Sequence, residues 1–196
     1  MTAKRPVRLF GAKGDPLSNF AHCHLAVTCP FCDRTLEALT VEHGFQAAKA
    51  TTCQDYHAIL ATPGPRDART AGRRVALRAD WEAPHPDSGL SVKATVMPGL
   101  LRAKYAAAPM RDALLGTDED ILIEDAPWDG FWGAGHDGQG RNALGRLLMK
   151  THRHPRPRPD PAGGPHRQAL TVCAPRPTGR RARRHRRRRC PAACSS

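Results

Sequence analysis

The chain has 196 residues, enough for one ordinary domain, and a formal net charge of +13 that points toward nucleic acid. The charge is concentrated: residues 151–196 hold 13 Arg against one acid (Asp160), leaving 18 Lys+Arg against 17 Asp+Glu in residues 1–150. Whole-chain basicity therefore says nothing about the first 150 residues, and no stretch has the length of a membrane-spanning helix.

The N-terminus carries Lys4, Arg5 and Arg8 with no apolar run behind them, so no secretory leader is expected. Seven Cys, an odd number without secretory context, argue against a disulfide framework. The expected location is the cytoplasm. Residues 4–10 read as a short strand ending at Phe10. Gly11 to Asn19 is a loop of turn formers closed by Phe20. Residues 24–28 and 35–41 read as two strands, joined by a hairpin at Cys29-Pro-Phe-Cys-Asp-Arg34. A helix is expected from Glu42 to about Ala50, a second over 55–61 stopped by Thr-Pro-Gly-Pro, and a basic third over 66–74. Leu77-Arg-Ala-Asp-Trp-Glu82 follows, and Pro84 and Pro86 break the chain. Val92 to Ala107 has helical apolar spacing, with Pro98 as an irregularity. Met110 to Leu115 is a further helix and Ile121 to Glu124 a strand. Trp128 to Arg141 is a Gly-rich loop, and Asn142 is a good N-cap for a last helix. After His152 the composition turns to Pro and Arg, with too few apolar residues to bury, so 154–196 is expected to be a disordered basic tail.

Two stretches carry candidate chemistry. An α-helix turns about 100° per residue, so Glu42 and Lys49, seven positions apart, should share a face, with Phe45 and Gln46 between them. That stripe could be the catalytic wall of an enzyme that cleaves glycosidic bonds. Taken alone, a solvated face with two charges is the simpler reading. In the Gly-rich loop, glycines would let backbone N–H groups approach a ligand, and the helix start at Asn142 would favour a phosphate. Asp129 could act as an acid, a base or a ribose-hydroxyl acceptor, and Trp128 and Trp132 could stack on a base. A mobile surface loop is the alternative.

Four blocks then run in one order: Pro-Leu-Ser-Asn-Phe (16–20), Glu-His-Gly-Phe-Gln-Ala-Ala-Lys (42–49), Leu-Arg-Ala-Asp-Trp-Glu (77–82), and the stretch 129–149 from Asp-Gly-Phe-Trp-Gly to Leu-Leu-Met. Together they resemble the NADAR (YbiA-like) family over about residues 7–153. The resemblance implies an α+β, mostly helical, compact single domain with a small β element. It implies hydrolysis of an N-glycosidic bond at ribose C1, without a cofactor. The substrate would be a small ribosyl or nucleotide compound: a phosphoribosylaminopyrimidine of riboflavin synthesis, or ADP-ribosylated guanine in nucleic acid. Carried onto this chain, the family acid falls on Glu42 and the family lysine on Lys49, with Asp129 as a third catalytic candidate. Ser18, Asn19, Phe20, Phe45, Gln46, Trp81, Trp132, Gly133 and Asn142 would bind substrate. A carboxylate suits the positive charge that builds at C1. Lys49 could form a Schiff base with an opened C1 aldehyde if burial lowers its pKa, or could contact a phosphate.

Two features depart from the family. Gly44 stands where a bulky residue is usual, which should leave a space and alter the pocket. The Cys29–Cys32 hairpin is also additional. Cys-x-x-Cys is half a zinc site, and His22, Cys23, His24 or Cys53 could complete it. No second Cys-x-x-Cys or His pair follows at finger spacing, so reduced thiols are the expectation. Two further readings stand beside the enzyme: a non-catalytic ADP-ribose or nucleotide-binding module, and a nucleic-acid-associated protein acting through the Arg-rich tail.

Overall fold

The computed structural model describes residues 5–12, 14–84, 89–153 and 172–173. Their elements, in order, are β1 (Val7–Phe10), β2 (Leu25–Thr28), β3 (Thr35–Ala38), α1 (Val41–Ala47), α2 (Cys53–Leu60), α3 (Pro65–Arg74), α4 (Val92–Lys104), α5 (Met110–Leu115), β4 (Ile121–Glu124), α6 (Ala143–Arg153) and β5 (Val172–Cys173). The fold is α+β and mostly helical. Among the described residues, no helix is long and apolar enough to cross a membrane. Most of the expected basic tail lies outside the described residues. The exception is β5, which pairs in parallel with β2 through Val27↔Val172 and Thr28↔Cys173.

The described residues fall into two units, 5–23 with 101–153 and 24–100 with 172–173, and the division lies within α4. In the first unit, β1 and β4 pair in parallel with Val7 opposite Ile121 and Phe10 opposite Glu124. Leu122 of β4 is fully buried, as are Leu144 and Leu148, one turn apart on α6. Gly145 permits a close approach of α6 to the strand: a Cβ there would lie 2.2 Å from the Leu122 carbonyl oxygen.

In the second unit, β2 pairs antiparallel with β3, Leu25 opposite Ala38. Alternate residues Leu25 and Val27 are buried, as a half-buried strand requires. The expected second strand stops early, at Ala38, because Thr40 is the N-cap of α1: its hydroxyl accepts from the His43 amide. Helix α1 has seven residues and a Gly in its middle, so it cannot depend on helix propensity. It is held by packing, and every residue of it is buried. His43 is wholly buried and bonded at both ends, its Nε2 donating to the Thr62 carbonyl and its Nδ1 accepting from the Thr40 hydroxyl.

Gly44 does not leave the space expected of it. A Cβ there would meet Leu100 Cδ2 at 2.7 Å, so α4 occupies that volume. The other close helix contact is α1 against α3. Pro65 opens α3 at a position where its missing N–H costs nothing. Arg69 and Gly72 lie three positions apart on the α3 face that meets Glu42 and Gln46 of α1, and a Cβ on Gly72 would lie 2.8 Å from Gln46 Cβ. Because that atom is near the backbone, the helices themselves must move to admit a side chain. Gly72→Ala should therefore lower unfolding free energy by about 1–3 kcal/mol, the range for overpacking. Denaturant titration checks this, and an unchanged midpoint would show that the interface gives more easily than its geometry requires.

Candidate active site

The most deeply buried carboxylate of the second unit is on α1. Glu42 is 4% exposed. Its Oε1 accepts from Gln46 Nε2 at 2.9 Å and from Arg69 Nε at 3.1 Å. Gln46 is one helical turn along, so its amide bond follows from α1 alone. Arg69 comes from α3 and was not among the residues singled out by sequence. It sits with Arg66 and Arg73 in the segment read from sequence only as a basic helix. Both bonds end on Oε1.

Lys49 follows the end of α1. Its amide donates to the Gln46 carbonyl at 3.1 Å, so the chain tightens into a final turn after Ala47. The Lys49 Nζ lies 5.6 Å from the centre of the Phe45 ring and 5.7 Å from that of Trp81. The two rings meet edge to face at 5.0 Å. Burial pushes the Lys49 amine below the ordinary lysine range. Glu42 opposes the shift, while Arg73, Arg69 and Lys93 add to it. The half-buried ammonium therefore sits in an aromatic frame, with its loss of a proton made easier.

What sets that frame is Arg78, another residue not singled out by sequence. It is 2% exposed, and its Nε and Nη2 fork onto Asp80 at 2.5 and 2.9 Å. Its amide donates to the Lys49 carbonyl at 3.2 Å, and Trp81 donates its amide to the Arg78 carbonyl at 3.1 Å. The 77–82 block is thus a brace between the end of α1 and the Trp81 ring. The pair was legible as Arg-x-Asp, but its partner across the turn was not.

Ser18, Asn19 and Phe20 belong to the first unit. Ser18 and Asn19 are buried, and Phe20 donates its amide to Ser18 Oγ at 3.2 Å. The loop is organised by Asp15, whose Oδ1 accepts from Leu17 N at 2.9 Å. It is anchored by Lys104 Nζ, which donates to the Ser18 carbonyl at 2.7 Å, and by the Tyr105 hydroxyl, which donates to the Pro16 carbonyl at 3.2 Å. Burial lowers the Lys104 pKa to about 8, with Cys23 and Asp15 opposing it, and burial raises that of Tyr105.

The Gly-rich loop, also in the first unit, departs from expectation. Asp129 Oδ1 accepts from the amides of Phe131 and Trp132 at 3.0 and 2.9 Å, so the side chain shapes its own turn. Trp132 is half-buried and packs edge to face on Phe131, whereas Trp128 is 73% exposed. A Cβ on Gly133 would lie 2.6 Å from Ala126 Cβ, and one on Gly140 would lie 2.4 Å from the Gly133 carbonyl oxygen. At Gly133 the absent side chain admits Ala126 and the end of β4, and at Gly140 it admits the loop's own backbone. Asn142 does not cap α6 with its side chain. It has φ 46°, and its amide reaches β4, accepting from Glu124 N at 3.0 Å and donating to Leu122 O at 2.8 Å. The first α6 amides, Ala143 and Leu144, donate to the carbonyls of Phe131 and Trp132, each at 3.1 Å. The helix start is therefore closed by the loop, and the phosphate expected there has no free backbone donors at those two positions.

Glu42, Phe45, Gln46, Lys49 and Trp81 are thus gathered in one unit, with Arg69 and Arg78 added. Ser18, Asn19, Phe20, Asp129, Trp132, Gly133 and Asn142 lie in the other. The NADAR domain family model matches residues 10–154, and the chain belongs to that family. It is 39% identical over 114 residues to N-glycosidase YbiA of Escherichia coli (strain K12), covering 57% of this chain and 66% of that one. An N-glycosidase of Nostoc punctiforme is 35% identical over 116 residues, covering 56% of this chain and 69% of the relative. The chloroplastic riboflavin biosynthesis protein PYRR of Zea mays is 35% identical over 124 residues, and the match spans only 19% of that longer protein. The NMR structure of E. coli YbiA superposes with a TM-score of 0.61 at 32% identity, covering 78% of this chain and 86% of the other.

The buried Lys104 has a measurable signature. From about pH 8 to the ordinary lysine value of 10.5, the unfolded chain holds a proton that the folded chain has lost. Stability should then climb with pH in that window, with a limiting slope of about 1.4 kcal/mol per pH unit, and the full penalty should remain below it. Denaturant midpoints of wild type and Lys104→Met across the lower part of that window should show the climb in wild type alone. Parallel curves would mean that the ammonium is well solvated.

Proposed function

We propose that this chain hydrolyses an N-glycosidic bond at ribose C1, that its substrate is a phosphoribosylaminopyrimidine, and that Glu42 and Lys49 carry the chemistry. The observation that bears most weight is a carboxylate held through one oxygen by two donors, on the helix that leads into an amine with a lowered pKa. The relatives named as N-glycosidases and as a riboflavin biosynthesis protein support both the reaction and the substrate class.

Protonation of the ring oxygen opens the ribose to an iminium at C1 that is still bonded to the base nitrogen, and a carboxylate aimed at that positive charge lowers the barrier. Gln46 and Arg69 hold Glu42 in place before the charge appears, so no reorganisation is needed during the reaction. Glu42 also serves to pass a proton to the departing amine and recover it from water. Lys49, once neutral, adds to C1 of the ring-opened sugar. Expulsion of the base amine then leaves a Schiff base between Lys49 and C1, and water adds to it, releasing the ribose aldehyde and restoring the amine. Phe45 and Trp81 hold that amine partly out of water, which makes its proton easier to lose. Arg73 and Lys93, which also bear on Lys49, provide positive charge suited to a substrate phosphate. The assignment of Ser18, Asn19, Phe20 and Trp132 to substrate rests on the motifs to which they belong. Asp129, Gly133 and Asn142 are assigned to loop shape.

The test offers purified protein the phosphoribosylaminopyrimidine and ADP-ribosylated guanine side by side, following ribose 5-phosphate and ADP-ribose. Release from the first is expected; release from the second alone would move the substrate to nucleic acid. Glu42→Gln should lower kcat by about 10²–10⁴-fold, the usual worth of a positioned acid–base group. Borohydride during turnover should trap a covalent adduct in wild type and none in Lys49→Arg. The wild-type rate should rise with pH through the lowered Lys49 pKa, because only the neutral amine attacks. No release from either substrate, or undiminished release by Glu42→Gln, would sink the assignment.

A further inference from the structure

The turn between β2 and β3 and the N-terminal half of α2, with His57 just beyond its first turn, bring together Cys29, Cys32, Cys53 and His57. Their ligand atoms all lie within 4.8 Å of one another. We propose that these four side chains bind a zinc ion in a closed, structural Cys3His site. The Glu42 and Lys49 chemistry plays no part in that assignment.

Two of the distances fit a tetrahedral metal site. Zinc bonds of about 2.3 Å to sulfur and 2.0–2.1 Å to nitrogen, set at tetrahedral angles, put S···S edges at about 3.8 Å and S···N edges at about 3.6 Å. Cys29 Sγ lies 3.8 Å from Cys53 Sγ, and Cys32 Sγ lies 3.6 Å from His57 Nε2. Two edges of the tetrahedron are already present. A disulfide would need sulfur atoms about 2.05 Å apart.

The local backbone is built for the same end. Cys29 donates its amide to the Arg34 carbonyl at 2.9 Å, and Asp33 donates to the Cys29 carbonyl at 2.9 Å. Asp33 has φ 58°, which folds the chain back so that Cys29 and Cys32 converge. On α2, Cys53 and His57 are four positions apart and share a face. The Thr52 hydroxyl accepts from the Asp55 amide at 3.1 Å and fixes the helix start at Cys53. The ligand spacing is Cys-x2-Cys-x20-Cys-x3-His, which is finger spacing with one Cys in place of a His. No second Cys-x-x-Cys or His pair follows the hairpin; the pair offered here is mixed, Cys53 with His57. Of the partners considered for the hairpin, His24 is bonded to Glu37 instead.

Four protein ligands leave no open position, so the ion would join structure and supply no Lewis acid to a substrate. It would pin the β2–β3 turn to α2. Metal content of the full chain, purified under reducing conditions, should be one zinc per chain. After removal and replacement, one equivalent of cobalt(II) should give the intense visible bands of tetrahedral geometry with thiolate-to-metal charge transfer. Cys53→Ser and His57→Ala should each weaken and shift those bands. Should a variant be insoluble, cadmium NMR of the wild-type chain reports directly on a three-sulfur, one-nitrogen set. A chain that takes up no metal when reduced, a weak octahedral cobalt spectrum, a cadmium shift typical of oxygen ligands, or bands indifferent to His57→Ala would overturn the proposal.

Discussion

A carboxylate almost wholly removed from water is the constraint that organises the second unit. A buried charge is tolerated only when its lone pairs are met by good donors and its partners are fixed. Glu42 obtains one donor from its own helix and one from Arg69 of α3. The second requires the two helices to approach closely, and Gly72 is where that approach is made. Gly44 performs the same service for α4 through Leu100. A seven-residue helix with an internal glycine can then stand fully buried, because its neighbours hold it and its own propensity does not have to.

Lys49 depends on the same frame by a different route. Its environment opposes a positive charge through burial and through Arg73, Arg69 and Lys93, and favours one only through Glu42 and the faces of two aromatic rings. Trp81 keeps its place because Arg78 and Asp80 form a fork beneath the end of α1. The acid and the amine are therefore set by two braces, one from α3 and one from the 77–82 segment. Neither brace is a reacting group.

In the first unit, two polar side chains in and beside the Gly-rich loop serve its own architecture. Asp129 and Asn142 bond backbone, and loop carbonyls occupy the first amides of α6. A stretch rich in Gly, Trp and Asp invites a ligand-binding reading, yet here much of its hydrogen-bonding capacity is consumed in holding one loop against β4. Gly133 and Gly140 are glycines because backbone passes there.

The local elements were legible because they rest on local rules: strand alternation, the Thr-Pro-Gly-Pro stop after α2, and apolar spacing along α4 and α6. The α+β class and the ordered family blocks could be read from residues alone, and Glu42 and Lys49 could be named as candidates. Arg69 and Arg78 could not, since a periodic Arg on a basic helix and an Arg-x-Asp pair look like surface until a second element closes on them. Cys53 and His57 were hidden for the same reason: their i, i+4 relation is local, but convergence with Cys29 and Cys32 needs the hairpin turn and α2 brought together. Sequence by itself determined the elements and the side chains able to do chemistry, because both depend on neighbours within a few residues. The tertiary structure alone decided which oxygen of Glu42 is held, what fills the space beside Gly44 and which atoms meet at the sulfur cluster, because those depend on contacts between distant segments that no local spacing encodes.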